Sequence, residues 1–103
     1  MHATIRRYDG VDQNRKDELT RKVNETLVPK LSKLPGFAGY YLIEAGDGVF
    51  SSLGLFETLE QGKESSNVVA TWIRDEKLDT MIPNAPKITM GKVVAHSNGI
   101  TTA

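Results

Sequence analysis

Two apolar runs joined by a glycine-rich turn are the strongest feature of the hydrophobic and polar pattern along the chain. They run from Phe37 to Ile43 and from Val49 to Phe56, and both are rich in aromatic and branched residues. Gly46-Asp47-Gly48 between them supplies residues that tolerate positive φ, as a tight turn between antiparallel strands requires. The pattern predicts a β-hairpin.

Apolar residues recur at helical spacing before the hairpin. The stripe consists of Leu19, Val23, Leu27, Leu31 and Leu34. Asp12 precedes it and is a suitable N-cap, because its carboxylate can accept from the free amides of the first turn. Pro29 falls inside the stripe and has no N–H to donate, so we expect a kink or a break there.

A second helix is predicted after the hairpin. Thr58 and Gln61 have the spacing of a capping box. The buried face then consists of Val68, Val69, Trp72 and Ile73, and a short helical piece is expected around Leu78, Met81 and Ile82. Residues 2–8 are predicted to form the first strand and residues 88–96 the last strand.

The resulting order, β-α-β-β-α-β, predicts an α+β, ferredoxin-like fold with a four-stranded antiparallel sheet and both helices on one face. In the hairpin both sets of alternating positions are apolar: Phe37, Gly39, Tyr41 and Ile43 on one side, and Ala38, Tyr40 and Leu42 on the other. In the first strand we expect Ala3 and Ile5 to face the helices. The other sheet face would then expose a large apolar patch, which a second copy of the chain is expected to cover as a homodimer.

Composition narrows the class of protein. Thirteen basic and thirteen acidic residues give a net charge of zero, so we expect no nucleic-acid partner and no membrane partner. The chain contains no cysteine, which excludes disulfides and thiolate metal sites.

The start of the chain lacks a signal-peptide pattern, and we expect a cytoplasmic protein with a single domain over residues 1–96 and a frayed tail over 97–103.

Two segments resemble a known family. Leu34-Pro35-Gly36-Phe37 after an amphipathic helix, and Leu55-Phe56-Glu57-Thr58 at the end of the hairpin, are similar to the dimeric α/β-barrel proteins, in particular to the antibiotic-biosynthesis-monooxygenase-like branch. The resemblance covers about residues 1–96. It implies two sheets packed face to face in a dimer, with a cavity between sheet and helices in each subunit.

Five residues are candidates for lining that cavity: Arg6, Tyr40, Tyr41, Trp72 and His96. Arg6 is expected on the same side of its strand as Thr4 and Tyr8, where it binds an anionic or phenolic ligand or pairs with Glu44 or Glu57. Tyr40 and Tyr41 must point to opposite sides of the sheet, so only one of them lines a pocket. Trp72 is either a core anchor or a cavity wall.

Histidine chemistry is limited, because the sequence holds only His2 and His96. Nothing in their spacing with carboxylates indicates a metal site, and no metal or cofactor is expected. His96, in the predicted last strand, is the better placed of the two to reach a cavity. No nucleophile motif accompanies Ser51 or Ser52, so catalytic residues are not assigned.

Two functions remain open on this basis. The resemblance implies a cofactor-independent, oxygenase-like enzyme acting on a hydroxylated aromatic small molecule; the alternative is a non-catalytic dimer that binds a small molecule or another protein. Haem degradation is a weaker third reading, since those relatives use a histidine near the end of the second helix and residues 58–82 contain none. RNA-recognition modules share the topology, but the third strand here has no basic residue to support RNA binding.

Overall fold

The computed structural model describes residues 1–97. Its strands are β1 (His2–Tyr8), β2 (Phe37–Gly46), β3 (Val49–Phe56) and β4 (Lys87–Lys92). They form a four-stranded sheet in the order β2-β3-β1-β4, and all three neighbouring pairs are antiparallel. A composite helix, α1, covers residues 13–32, and α2 covers Leu59–Asp75. This is the predicted ferredoxin-like order, and the predicted fold class is confirmed.

The turn between β2 and β3 has the conformation that its composition predicts. Gly46, Asp47 and Gly48 all have positive φ, at 86°, 54° and 77°. Asparagine, aspartate and glycine adopt this region more readily than other residues, so the turn fixes the hairpin at this place.

The first helix does not break at Pro29. It consists of a 3-10 turn (Gln13–Arg15), an α segment (Lys16–Lys22), a π segment (Val23–Leu27) and a last α segment (Val28–Ser32) that has Pro29 in its first turn. A widened turn precedes Pro29, in which the Val28 amide donates to the carbonyl of Val23. A wider turn accommodates a proline ring that would collide with the preceding turn of a regular α-helix.

Capping fixes where both helices begin. The Asp12 carboxylate accepts from the Asn14 amide at 3.0 Å. At the start of α2 the Gln61 amide donates to the Thr58 hydroxyl at 3.2 Å, and the Thr58 amide donates to the Gln61 side-chain oxygen at 3.0 Å. Both predicted caps are confirmed, and the second is a complete capping box.

The hydrophobic core lies between the helices and one face of the sheet. Leu19, Val23, Leu27 and Leu31 of α1 are at most 4% exposed, and Val69 and Trp72 of α2 pack against them. Phe50 and Phe56 of β3 contribute to the core from the sheet, and their exposed fractions are 3% and 1%. The predicted apolar stripes are confirmed for these helix residues, whereas Leu34, the last residue of the predicted first stripe, is partly buried and lies beyond the end of α1.

The prediction of which β1 residues face the helices was wrong. Thr4, Arg6 and Tyr8 point into this layer and are at most 7% exposed, whereas Ile5 is 44% exposed on the opposite face. Ile5 lies opposite Leu53 of β3 on that other face. Because both faces of the sheet carry apolar residues, hydrophobicity alone does not identify the face that the helices cover.

A bulge near the start of β2 changes the side assignment within the hairpin. The register shifts between Phe37 and Gly39, so Ala38 is the extra residue. Phe37 therefore lies on the helix side together with Tyr40 and Leu42, and all three pack against the core. The predicted grouping of Phe37 with Tyr41 is wrong for this reason, while the grouping of Tyr40 with Leu42 holds.

The last strand is shorter than predicted. It ends at Lys92, and the chain continues without regular structure through His96 and Ser97, although the Val93 amide still donates to the Met1 carbonyl at 2.9 Å. Of the tail predicted to fray, only Ser97 belongs to the described part of the chain. No helix within residues 1–97 is long and apolar enough to cross a membrane.

Candidate functional site

The layer between sheet and helices contains an interior cavity with apolar walls. Tyr8, Tyr40 and Trp72 line it together with aliphatic side chains of both helices. Its volume is about 20 Å³, which leaves room for about one water molecule. A larger ligand must therefore enter from one of the two hollows that share walls with this cavity.

The first of these, the Tyr40 hollow, lies between α1 and the edge of the sheet at β2. It has a volume of about 320 Å³ and is lined by Thr20, Val23, Asn24, Val28, Tyr40, Leu42, Glu44 and Phe50. Four of these residues, Val23, Tyr40, Leu42 and Phe50, also line the interior cavity. At the rim, Lys16 Nζ donates to Glu44 Oε2 at 2.8 Å, so the one carboxylate among the wall residues is paired.

The second, the Arg6 hollow, lies on the other side of the layer, between α2 and strands β1 and β4. It has a volume of about 190 Å³, and it shares Tyr8, Val69 and Ile73 with the interior cavity. Arg6 is 3% exposed, and its Nη2 donates to Ser66 Oγ at 2.5 Å. The ion pair with Glu44 or Glu57 that the sequence suggested is not formed, since Glu44 pairs with Lys16 and Glu57 is exposed.

Burial controls the protonation of the two tyrosines of this layer. It raises the pKa of Tyr40 to about 12 and also raises the pKa of Tyr8. A hydrogen bond with the Ser52 side chain and the nearby Arg6 charge act in the opposite direction on the pKa of Tyr40, and Arg6 does the same on the pKa of Tyr8, but burial is the largest effect on both. Both hydroxyls are therefore neutral at neutral pH and can donate hydrogen bonds.

Trp72 has a structural role in addition to lining the interior cavity. It is 3% exposed, and its indole Nε1 donates to Thr26 Oγ1 at 2.7 Å. Thr26 lies in the π segment of α1, and its hydroxyl in turn donates to the Lys22 carbonyl at 2.7 Å. The tryptophan thus joins the two helices, as its reading as a core anchor predicts, and its N–H is not directed at a ligand.

Tyr41 and His96 lie elsewhere. Tyr41 lies on the face of the sheet opposite the helices, here called the open sheet face, which also carries Ala3, Leu53 and Leu55, and His96 follows β4 and lines the same hollow. These residues line a broad hollow of about 540 Å³. The structure thus brings Arg6, Tyr40 and Trp72 into one layer and places Tyr41 and His96 on the other side of the sheet.

Two residues near the candidate site were not among the sequence candidates. Tyr8 lines both the interior cavity and the Arg6 hollow, and Ser66 is the hydrogen-bond partner of Arg6. Helical spacing could have indicated Ser66, because it shares a face of α2 with Val69 and Ile73, three and seven residues later. Within residues 1–97 there is no group of three or more metal-binding side chains placed to hold an ion.

Comparison with known proteins finds similarity in structure and none in sequence. No protein-family model matches the sequence, and no curated protein matches it. A Nitrosomonas europaea protein of unknown function superposes with a TM-score of 0.75 at 15% identity, over 97% of this chain and 95% of that chain.

Two further solved structures hold ligands. A Streptomyces coelicolor monooxygenase in complex with nanaomycin D is similar with a TM-score of 0.71 and 13% identity, over 99% of this chain and 92% of its own. The haem degrader MhuD from Mycobacterium tuberculosis, with two haems in its active site, is similar with a TM-score of 0.70 and 16% identity, over 94% of this chain and 99% of its own. The chain therefore has the ferredoxin-like fold of the antibiotic-biosynthesis-monooxygenase-like proteins, and the predicted resemblance is confirmed at the level of the fold.

Proposed function

We propose that the chain binds a small hydroxylated aromatic molecule between sheet and helices and oxidises it without a cofactor. The observation that carries the proposal is the Tyr40 hollow, which has about 320 Å³ of space against the core and a neutral phenol in its wall. Small-molecule sites combine apolar surface with oriented polar groups. In this hollow the apolar half of the lining consists of Val23, Val28, Leu42 and Phe50, and the polar half consists of Thr20, Asn24, Tyr40 and Glu44.

The reaction proposed needs no external reductant. A phenol with a free para position and O₂ can give a quinone and water, so the substrate supplies all the electrons. In this scheme the Tyr40 hydroxyl donates a hydrogen bond to the substrate oxygen, and Val23, Leu42 and Phe50 pack against the reacting ring. The similar fold of a monooxygenase whose structure contains nanaomycin D supports the class of ligand.

One observation favours a second candidate, a dimer that binds the same class of ligand without turnover. The Tyr40 phenol has a pKa of about 12 and keeps its proton, and the one carboxylate of the Tyr40 hollow, Glu44, is exposed and paired with Lys16, so no buried base faces the substrate. Activation of a phenol for reaction with oxygen requires loss of its proton, which must then go to solvent. Haem degradation receives less support, since no histidine lines the interior cavity or the Tyr40 hollow.

Dimer formation is part of the proposal. The open sheet face exposes Ile5, Tyr41 and Ile43 at 44%, 59% and 51%. Isolated exposed apolar residues are common, but a continuous patch across several strands usually marks an interface. A second copy of the chain packed on this face would bury it and leave both hollows on the helix side free.

The experiment uses 1-naphthol, which is neutral at neutral pH and gives 1,4-naphthoquinone with one O₂ consumed. We expect saturable binding by fluorescence, together with oxygen uptake and quinone absorbance above the protein-free rate. Tyr40→Phe should weaken binding or turnover about tenfold, the scale of one lost hydrogen bond of about 1.4 kcal/mol. Tyr41→Phe, on the open sheet face, is the matched control.

The outcomes separate the two candidates. Binding that depends on Tyr40 without oxygen uptake would favour the non-catalytic protein. No binding by the wild-type protein, or equal effects of both tyrosine substitutions, would contradict the assignment of the Tyr40 hollow.

A further inference from the structure

Within the described residues 1–97, Arg6 is a buried cation without an anionic partner. It lies on the central strand β1, and its side chain enters the layer under α2 with 3% exposure. Throughout residues 1–97, no carboxylate lies within 4.0 Å of its guanidinium; Arg7, its neighbour in sequence, does have such a partner in Asp9. A buried guanidinium without an ion pair is costly, and its persistence calls for a function.

The surroundings of Arg6 offer hydrogen-bond donors and positive charge. The polar residues of the Arg6 hollow are Arg6, Tyr8 and Ser66, and none of them is acidic. The Ser66 hydroxyl accepts from Arg6 and lies 3.4 Å from the Gly62 carbonyl, to which it can donate. Tyr8 keeps its proton at neutral pH, because burial raises its pKa. Arg6 stays charged although burial lowers its pKa, since arginine is effectively always protonated in proteins.

The other walls are apolar and come from two elements. Val69, Ala70 and Ile73 follow Ser66 on one face of α2, Pro86 directly precedes the edge strand β4, and Ile88 lies in it. The volume of about 190 Å³ suits a small ring or a short branched chain rather than a large polyanion. A phosphate dianion is a poorer match, because one guanidinium among aliphatic walls would leave most of its charge unpaired.

We propose that the Arg6 hollow binds the carboxylate of a small organic acid whose apolar body lies against Val69, Ile73 and Ile88. The inference goes beyond the proposed function, because the Arg6 hollow and the Tyr40 hollow share no lining residue and are separate sites. Guanidinium groups match carboxylates with two parallel hydrogen bonds, so the acid would supply the anion that Arg6 lacks.

The first experiment compares 4-hydroxybenzoate with 4-hydroxybenzamide, which have nearly the same shape and differ in charge. We expect the acid to bind at least tenfold more tightly by calorimetry and to shift the Arg6 Nε–H signal in NMR spectra. Arg6→Gln should remove the preference for the acid. Arg7→Gln is the matched control, since Arg7 is adjacent, exposed and directed to the opposite face.

A second pair of variants tests the hollow while leaving Arg6 in place. Ile88 lies directly opposite Arg6 in the β1–β4 ladder, so its side chain shares a face with the guanidinium. Ile88→Glu should supply an internal carboxylate: its melting temperature should exceed that of Ile88→Gln at pH 7, and it should no longer bind 4-hydroxybenzoate. This pair gives an answer even if Arg6→Gln fails to fold.

Cyclohexanecarboxylate separates failure of this inference from failure of the proposed function. If it binds and depends on Arg6 while 1-naphthol does not bind, the acid site stands and the aromatic function is wrong. If acid and amide bind equally and Arg6→Gln changes neither, the aromatic function stands and the acid site is overturned. No binding of either acid at millimolar concentration, or equal melting of Ile88→Glu and Ile88→Gln, would also overturn the acid site.

Discussion

At the scale of single residues, the phenol of Tyr40 has a measurable consequence for stability. Burial raises its pKa to about 12, whereas tyrosines of an unfolded chain titrate near pH 10. The folded state therefore holds this proton more tightly than the unfolded state. The resulting stabilisation is fully present below about pH 10 and is lost as the pH rises towards about 12.

We expect urea unfolding to show a steeper loss of stability between about pH 10 and pH 12 in the wild-type protein than in Tyr40→Phe. An ultraviolet titration should show a late phenolate component from Tyr8 and Tyr40 that the same substitution reduces. Tyr41→Phe controls for the loss of a tyrosine and for titrating lysines. Identical pH profiles for the wild-type protein and Tyr40→Phe would contradict the burial of this phenol.

The sequence identified Arg6, Tyr40 and Trp72 as residues of interest, and the structure shows why it could not assign their roles. The sequence allowed Arg6 to pair with Glu44, but in the structure that carboxylate forms an ion pair with Lys16 of α1. The bond from Trp72 to Thr26 joins residues 46 positions apart, in two helices whose relative position is a property of the fold. Such contacts are not encoded in local spacing.

At the scale of elements, Gly36 connects the turn before β2 to the capping box of α2. Its φ is +75°, and its carbonyl accepts from the Glu57 amide at 3.0 Å. A Cβ at this position would overlap the side chain of Gln61, which forms half of the capping box. Glycine is thus required here both for its backbone conformation and for the space it leaves.

Gly36→Ala should therefore destabilise more than Gly46→Ala. Gly46 also has positive φ, at +86°, but a Cβ there would meet no atom within 4 Å, so this control measures conformational strain alone. Strain costs about 1 kcal/mol, and displacement of the Gln61 cap should add about 1 kcal/mol more for Gly36→Ala. Urea unfolding of the two variants measures the difference, and equal losses would show that Gln61 rearranges freely.

The sequence predicted the types and order of the helices and strands, but not the irregularities within them. Capping residues, turn glycines and helical stripes act locally, so Asp12, Thr58 and Gly46-Asp47-Gly48 could be read in advance. The bulge at Ala38 could not, because it depends on how β2 pairs with β3. The π segment before Pro29 could not be read in advance either, and it contacts α2 through the hydrogen bond from Trp72 to Thr26.

At the scale of the whole molecule, the sheet has two apolar faces. This property explains why the orientation of the β1 side chains was predicted wrongly, and it is the basis for the proposed dimer. Hydrophobic alternation normally distinguishes a core face from a solvent face. In β1 the alternation correctly put Ile5 and Arg6 on opposite faces, but it assigned each to the wrong face. Arg6, together with Thr4, lies under the helices, and Ile5 lies on the open sheet face. The open sheet face accounts for this arrangement if it is itself buried in the assembly.

The last prediction tests that assembly. The register aligns Ile5, Leu53 and Tyr41 in one row across β1, β3 and β2, which makes Leu53 the centre of the open sheet face. We expect the wild-type protein to sediment as a homodimer at micromolar concentration, through an interface of more than about 2,000 Å² in total. Leu53→Glu would place a carboxylate in that interface, at a cost of several kcal/mol, and should give monomers that remain folded. Thr71→Glu, which adds the same charge at an exposed position of α2, should leave the dimer intact. A wild-type monomer at this concentration, or a Leu53→Glu dimer of unchanged stability, would exclude the open sheet face as the interface.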